Sequence, residues 1–116
     1  HAGTIYLAKQ RDRIKDEISA FDKLCFALAS YNAGYGHLLD ARKLAGQQGL
    51  SPNVWFNNVE EALLLLAEEK YASRARYGYC RGFETVAYVR DIILRSKLYA
   101  DHMNMKIDIQ IEHIDK

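Results

Sequence analysis

The 116 residues carry 16 Lys+Arg against 15 Asp+Glu. The net charge of +1 gives no electrostatic basis for gripping nucleic acid or an acidic membrane surface. With 49% hydrophobic and 27% charged residues the composition is that of one globular domain and excludes a disordered chain; the single Pro favours helices, and the eight Tyr are the outlier, each joining an apolar body to a polar contact.

In chain order, Ile5, Ala8 and Ile14 among Lys9, Arg11, Asp12 and Arg13 predict an amphipathic helix over about 2–15. Phe21, Leu24, Cys25, Leu28 and Tyr31 have the i, i+3, i+4 spacing of a second helix, in which Ala27 and Ala29 permit close packing. Asn32-Ala33-Gly34-Tyr35-Gly36 ends it, both glycines being read as the freedom a helix stop needs. A third helix is predicted from His37 to about Ala45, stopping at Gly46-Gln47-Gln48-Gly49, followed by a loop at Ser51-Pro52-Asn53. Trp55 to Leu66 reads as a fourth helix. Lys70 to Arg81 is basic and tyrosine-rich. A long helix is then expected over 83–99, with Val86, Val89, Ile93 and Leu94 toward a core. The end changes period: Ile107, Ile109 and Ile111 alternate with Asp108, Gln110 and Glu112, the pattern of a strand that needs a partner. The body is all-α.

Chemistry-bearing motifs are sparse. Cys25 and Cys80 are too few for a disulfide framework and sit among apolar neighbours, so two buried thiols are expected rather than a bridge. His1, His37, His102 and His113 show no metal-ligand spacing, and no metal or cofactor is expected. No Gly-x-Ser-x-Gly occurs, and Gly34-Tyr35-Gly36 is too short for a phosphate cradle. The longest apolar run, Ala62 to Ala67, is far too short to span a bilayer. His1-Ala2-Gly3 leads straight into the helical pattern of Ile5 and Leu7, and the chain is expected to start in the middle of something longer.

The cluster Tyr71, Arg74, Arg76, Tyr77, Tyr79 and Arg81 admits three readings. It is a stacking surface for nucleic acid, a loop whose rings pack on neighbouring helices, or a wall whose rings stack on sugars. The near-neutral charge favours the packed loop over nucleic acid. Glu84 sits in the first turn of a predicted helix, where the dipole favours a carboxylate, and Thr85 beside it suits the same end.

Four segments together carry a resemblance. Ala27-Leu28-Ala29-Ser30-Tyr31-Asn32-Ala33-Gly34-Tyr35-Gly36 resembles the Ala-x-Ala-Ala-Tyr-Asn-Ala-Gly-x-Gly signature of the soluble-lytic-transglycosylase family. Glu84-Thr85-Val86-Ala87-Tyr88-Val89-Arg90-Asp91-Ile92 is similar to the family's Glu-Thr-x-x-Tyr-Val-x-x-Ile motif, and Ala2-Gly3-Thr4-Ile5-Tyr6-Leu7 to its Ala-Gly-x-x-Tyr-Leu helix start. Tyr77-Gly78-Tyr79-Cys80-Arg81-Gly82-Phe83-Glu84 looks most like the membrane-bound F branch. The matches run in the family's order over roughly 2–100.

The resemblance implies an all-α, lysozyme-like fold of the goose-type and lytic-transglycosylase kind, present in part. Residues 1–105 are expected to form the C-terminal part of that domain, and 106–116 a tail that forms a strand or stays loose. It implies that Tyr31 lines the cleft beside the catalytic acid, that Asn32 fixes the turn, that Glu84 contacts substrate without being the proton donor, and that Tyr88 packs the cleft floor. Tyr77 and Tyr79 become candidates for a saccharide wall. The family's catalytic glutamate stands in a Glu-Ser-x-x-x-Pro segment before the Ala-Gly-x-x-Tyr-Leu helix, and none of Glu17, Glu60, Glu61, Glu68, Glu69, Glu84 and Glu112 stands in that context.

In the family that glutamate protonates the oxygen between N-acetylmuramic acid and N-acetylglucosamine. It then helps take the proton of the muramic 6-hydroxyl as a 1,6-anhydro ring closes. Such work needs a carboxyl of raised pKa within reach of the leaving oxygen. The expectation is a chain that supplies cleft walls for peptidoglycan in the bacterial envelope, periplasmic or outer-membrane associated, partnered by an upstream part that holds the acid. Two other readings share the motifs: a non-catalytic peptidoglycan-binding or structural module, and a hydrolytic lysozyme of related fold.

Overall fold

The computed structural model describes residues 18–96 and 101–106. The helix expected over 2–15, the motif at Ala2–Leu7 and the alternating residues 107–114 lie outside the described residues.

Helix α1 spans Ala20–Ala33. Its start is fixed by Ser19, whose Oγ accepts from the Asp22 backbone N–H at 3.0 Å and donates to Asp22 Oδ2 at 2.7 Å. This satisfies a first-turn donor that the helix leaves open. Gly34 ends α1, its N–H bonding to the Ser30 carbonyl at 2.8 Å. At φ 104° and ψ 145° it turns the chain in one residue, a conformation that a side chain strongly disfavours. Helix α2, Tyr35–Gln47, begins on the next residue, two earlier than the spacing predicted. The joint therefore needs only Gly34; Gly36 lies inside α2 and serves another purpose, described below.

The first half of the fourth predicted helix is displaced. Trp55–Val59 forms a wide π-type turn in which Phe56 is extended and Asn57 has φ 62°; regular helix is confined to α3, Glu60–Leu65. Polar side chains compete with the helical ladder here. Asp22 Oδ1 accepts from the Trp55 N–H at 2.9 Å, while Asn58 accepts from the Ser51 N–H at 2.9 Å and donates to the Phe56 carbonyl at 2.8 Å. Asn57 is a residue type that tolerates the left-handed region. After α3, a single helical turn α4, Glu69–Ala72, leads through bends to α5, Gly82–Arg95, and residues 101–106 are helical. Lys106, expected to open the tail, is helical. Among the described residues there is no strand.

Helix α1 packs on α2 and α5, and α3 packs on α2 and α5, so the four surround one core. Trp55, Leu63, Leu66, Val59, Val89, Ile93 and Cys25 fill it, each 1% exposed or less. Thr85, Val86, Val89 and Ile93 form the buried face of α5. Leu94, expected to face the core, is instead 57% exposed, because one further residue rotates it about 100° beyond Ile93. Buried Glu60 is retained by partners on two elements: its Oε2 meets the Arg90 guanidinium at 3.1 Å and its Oε1 accepts from the Asn57 N–H at 3.3 Å.

Candidate functional site

The two signature segments meet. Thr85, buried in the first turn of α5, donates its hydroxyl to the Asn32 side-chain oxygen at 2.7 Å, across 53 residues of sequence. The last turn of α1 and the first turn of α5 are thereby pinned at one edge. The neighbours of the pinned pair, Tyr31 and Glu84, both point to solvent there, and Tyr31 is 84% exposed. Tyr88, one turn beyond Glu84, is half-buried against the core.

The position of α5 has a backbone cause. A Cβ on Gly82 would collide with the main-chain carbonyl of Leu63, so α5 begins in direct contact with the α3 backbone, an approach only glycine permits. The Glu84 carboxylate at that helix start pairs with the Arg81 guanidinium at 3.1 Å, and Arg81 also lies over the Phe83 ring at 5.4 Å. Both charges of the pair are more than half exposed, so it orients Glu84 more than it stabilises the fold.

The tyrosine-rich segment is fastened to α2 at two points. The Tyr77 backbone N–H donates to Asp40 Oδ2 at 2.8 Å, and the Tyr77 ring covers Gly36, where a Cβ would lie 2.7 Å from ring carbons. Gly36 and Asp40 are one helical turn apart on the same face of α2. Of the three readings of this cluster, packing describes Tyr71, half-buried against the core, and the underside of Tyr77. Yet Tyr77 remains 49% exposed and Tyr79 58%, so each presents a ring to solvent. Arg76 sits 5.4 Å from the Tyr77 ring centroid.

Three features that hold this edge together were not singled out from sequence: Asp40 as the anchor of Tyr77, Arg81 as the partner of Glu84, and Gly82 as a contact point. The spacing Gly36-x-x-x-Asp40 carried a signal, since residues four apart share a helix face. The thiols are as expected: Cys25 and Cys80 are free and buried. Burial, then the charges of Asp22 and Glu60, push the Cys25 thiol up to about 12, and burial raises Cys80 as well. Among the described residues no three His, Cys, Asp or Glu side chains gather to hold a metal ion, and no helix is long and apolar enough to cross a membrane.

This edge offers exposed rings suited to stacking and an oriented carboxylate able to accept hydrogen bonds. No protein-family model matches the chain. Curated proteins do. The chain is 44% identical over 104 residues, 90% of its length, to a membrane-bound lytic murein transglycosylase F of Vibrio campbellii. It is 44% identical over 115 residues to the protein of that name from Shewanella halifaxensis, and 50% over 90 residues to that of Shewanella sediminis. The chain belongs, as a segment, to the lytic murein transglycosylases.

It spans 19% and 24% of the length of the first two of these relatives. The helical architecture is accordingly the lysozyme-like one of the transglycosylases, present in part. Tyr31-Asn32 and Glu84-Thr85, the transglycosylase-like pairs, are the two that the Asn32–Thr85 bond joins.

Proposed function

We propose that this chain forms the later wall of a peptidoglycan-cleaving cleft, in a protein that breaks the bond between N-acetylmuramic acid and N-acetylglucosamine with 1,6-anhydro ring formation. The observation that carries the reading is the 2.7 Å bond between Asn32 and Thr85, which sets Tyr31 and Glu84 on one edge. In this reading Tyr31, Tyr77 and Tyr79 offer ring faces to sugar rings, and their hydroxyls offer hydrogen bonds. Glu84, held by Arg81, accepts from sugar hydroxyl or amide groups. Asn32 positions the turn below Tyr31, and Tyr88 backs the floor.

The proton donor comes from outside these residues. Glu60 is engaged with Arg90 and the Asn57 N–H, inside the core, and Glu84 with Arg81. An upstream segment of the same domain supplies the acid. It delivers a proton to the leaving oxygen as the muramic C1–O bond breaks, and it accepts the proton of the 6-hydroxyl as that oxygen closes on C1. The place of action is the bacterial cell envelope, periplasmic or outer-membrane associated, and residues 1–105 belong to the one catalytic domain, with 106–116 a separate tail.

The test uses murein sacculi and mass spectrometry. The 116-residue chain alone is expected to release no anhydromuropeptides, while the intact protein releases them. Tyr31→Ala or Glu84→Gln in the intact protein should cut the rate at least about tenfold, the effect of losing a substrate contact worth 1.4 kcal/mol in the transition state. Anhydro product from the chain alone would refute the external acid. Products heavier by one water from the intact protein would refute the ring-closing reaction in favour of hydrolysis.

A further inference from the structure

At the far end of α1 from Tyr31, three rings are stacked. Phe21, in the first turn, lies against Phe56 with centroids 5.6 Å apart and planes at 26°. The imidazole of His102 lies on Phe21 at 4.1 Å and 9°, close to parallel. Of the helical residues 101–106, His102 alone is not exposed, so the seating of that stretch on the body falls to one side chain. It is the side chain type that changes charge near neutral pH, with an ordinary pKa of 6.5.

The charges around this ring come from two elements. On α1, Asp22 attracts a positive ring, but both its carboxylate oxygens are engaged already, Oδ1 by the Trp55 N–H and Oδ2 by the Ser19 hydroxyl. Lys23, next along α1, is exposed. The turn Trp55–Val59, which brings Phe56, carries no titratable side chain. On the stretch itself Lys106 stands one turn beyond His102 and repels a positive ring, while Asp101 is exposed. Burial first, and Lys106 second, hold the His102 pKa below 6.5, with Asp22 pulling the other way. The seated stretch therefore prefers the neutral imidazole. That preference is fully present above pH 6.5 and is lost as pH falls through the lowered value.

We infer that His102 is an acid-released latch: as a neutral ring it stacks on Phe21 and seats residues 101–106 at the start of α1, and as an imidazolium it lets them go. Protonation gives the ring a second N–H donor, which water satisfies better than the face of Phe21 or the engaged oxygens of Asp22. Release leaves α5 as the last described element on the core. Phe21 and Tyr31 stand in the first and last turns of α1, about 15 Å apart along its axis. The latch thus works at a distance from the Tyr31–Glu84 edge and does not depend on the peptidoglycan reading.

Two measurements on the intact protein test this: nuclear magnetic resonance with labelled histidine, and hydrogen exchange of residues 101–106 corrected for the intrinsic effect of pH. At about pH 8 the His102 ring protons are expected upfield, in the ring current of Phe21, and to move to their ordinary position with a midpoint below 6.5. Exchange protection of 101–106 should be lost over the same range. His102→Phe keeps a stacked ring and removes the proton, so its protection should persist in acid. Phe21→Leu removes the stacking partner, and the His102 midpoint should return toward 6.5 with no upfield shift. Loss of protection in acid by His102→Phe, or an unchanged midpoint in Phe21→Leu, would overturn the latch. So would protection that rises on acidification, since attraction between the imidazolium and the Phe21 face would then outweigh its loss of water.

Discussion

Replacing Gly36 with Ala tests whether the tyrosine segment is clamped to α2 through that glycine. In an ordinary helix the change stabilises by up to about 1 kcal/mol, since Ala is the best helix former and Gly among the worst. Here the new Cβ would sit 2.7 Å from Cγ and Cδ1 of Tyr77 and 2.9 Å from Cδ2. These atoms are at the near end of the ring, so χ2 rotation does not clear them; the whole ring must swing away at χ1, because the Tyr77 backbone is tied to Asp40. Overpacking of this kind costs about 1–3 kcal/mol. The expected net is a loss of about 0–2 kcal/mol by urea denaturation. In a Tyr77→Ala background the obstacle is gone, and the same Gly36→Ala change should become stabilising by up to about 1 kcal/mol. The reversal of sign is the decisive quantity, a coupling of about 1–3 kcal/mol in the double-mutant cycle. Equal effects in both backgrounds, or stabilisation with Tyr77 present, would refute the clamp.

Three further outcomes follow from the contacts. Asn32→Ala should cost about 1–3 kcal/mol in chemical denaturation, because it leaves the buried Thr85 hydroxyl without its acceptor, whereas Thr85→Ser keeps the hydroxyl and should cost less. Gly82→Ala should be the most damaging single-methyl change, at least about 3 kcal/mol, read as loss of soluble folded protein or of the thermal transition, since a main-chain carbonyl stands where the methyl would go. The Cys25 thiol titrates at about 12 in the fold against an ordinary 9.0, so the fold favours the protonated form. Its contribution is fully present below pH 9 and is lost as pH rises toward 12. Thiol labelling with a chromogenic disulfide at pH 8 should therefore be slow in the fold for both Cys25 and Cys80 and rapid in urea.

Much of the architecture is carried by hydrophobic spacing: Phe21 to Leu28 and Val86 to Ile93 mark faces of α1 and α5 that the structure buries in whole or in part, whereas Tyr31, in the same spacing, stands 84% exposed. Periodicity fails where polar side chains decide the backbone. Trp55 to Leu66 scans as one helix, yet Asp22 and Asn58 redirect its first half through bonds whose partners lie up to 33 residues away. Leu94 illustrates a related limit, since a single 100° step separates the buried from the exposed face of a helix. For the candidate site, the motifs point to Tyr31, Asn32, Glu84 and Tyr88, and their bringing together rests on a long-range contact, Asn32 to Thr85, that spacing does not encode. Glycine roles were the least legible. Gly34 is required by its dihedral angles, but Gly36 and Gly82 are required by what lies above them, a ring and a carbonyl, which only the tertiary structure supplies.

The contact between Gly82 and the Leu63 carbonyl also bears on how such a chain drifts over time. Side chains in a core exchange volume with one another, and their helices slide to accommodate it. At this point, by contrast, main chain rests on main chain, and there is no side chain whose replacement could open or close the gap. The start of α5, and with it the placing of Thr85 and Glu84 relative to Asn32 and Tyr31, is thereby insulated from changes among Val59, Leu66, Val89 and Ile93. Core residues can diverge among descendants while the edge that carries Tyr31 and Glu84 keeps its dimensions.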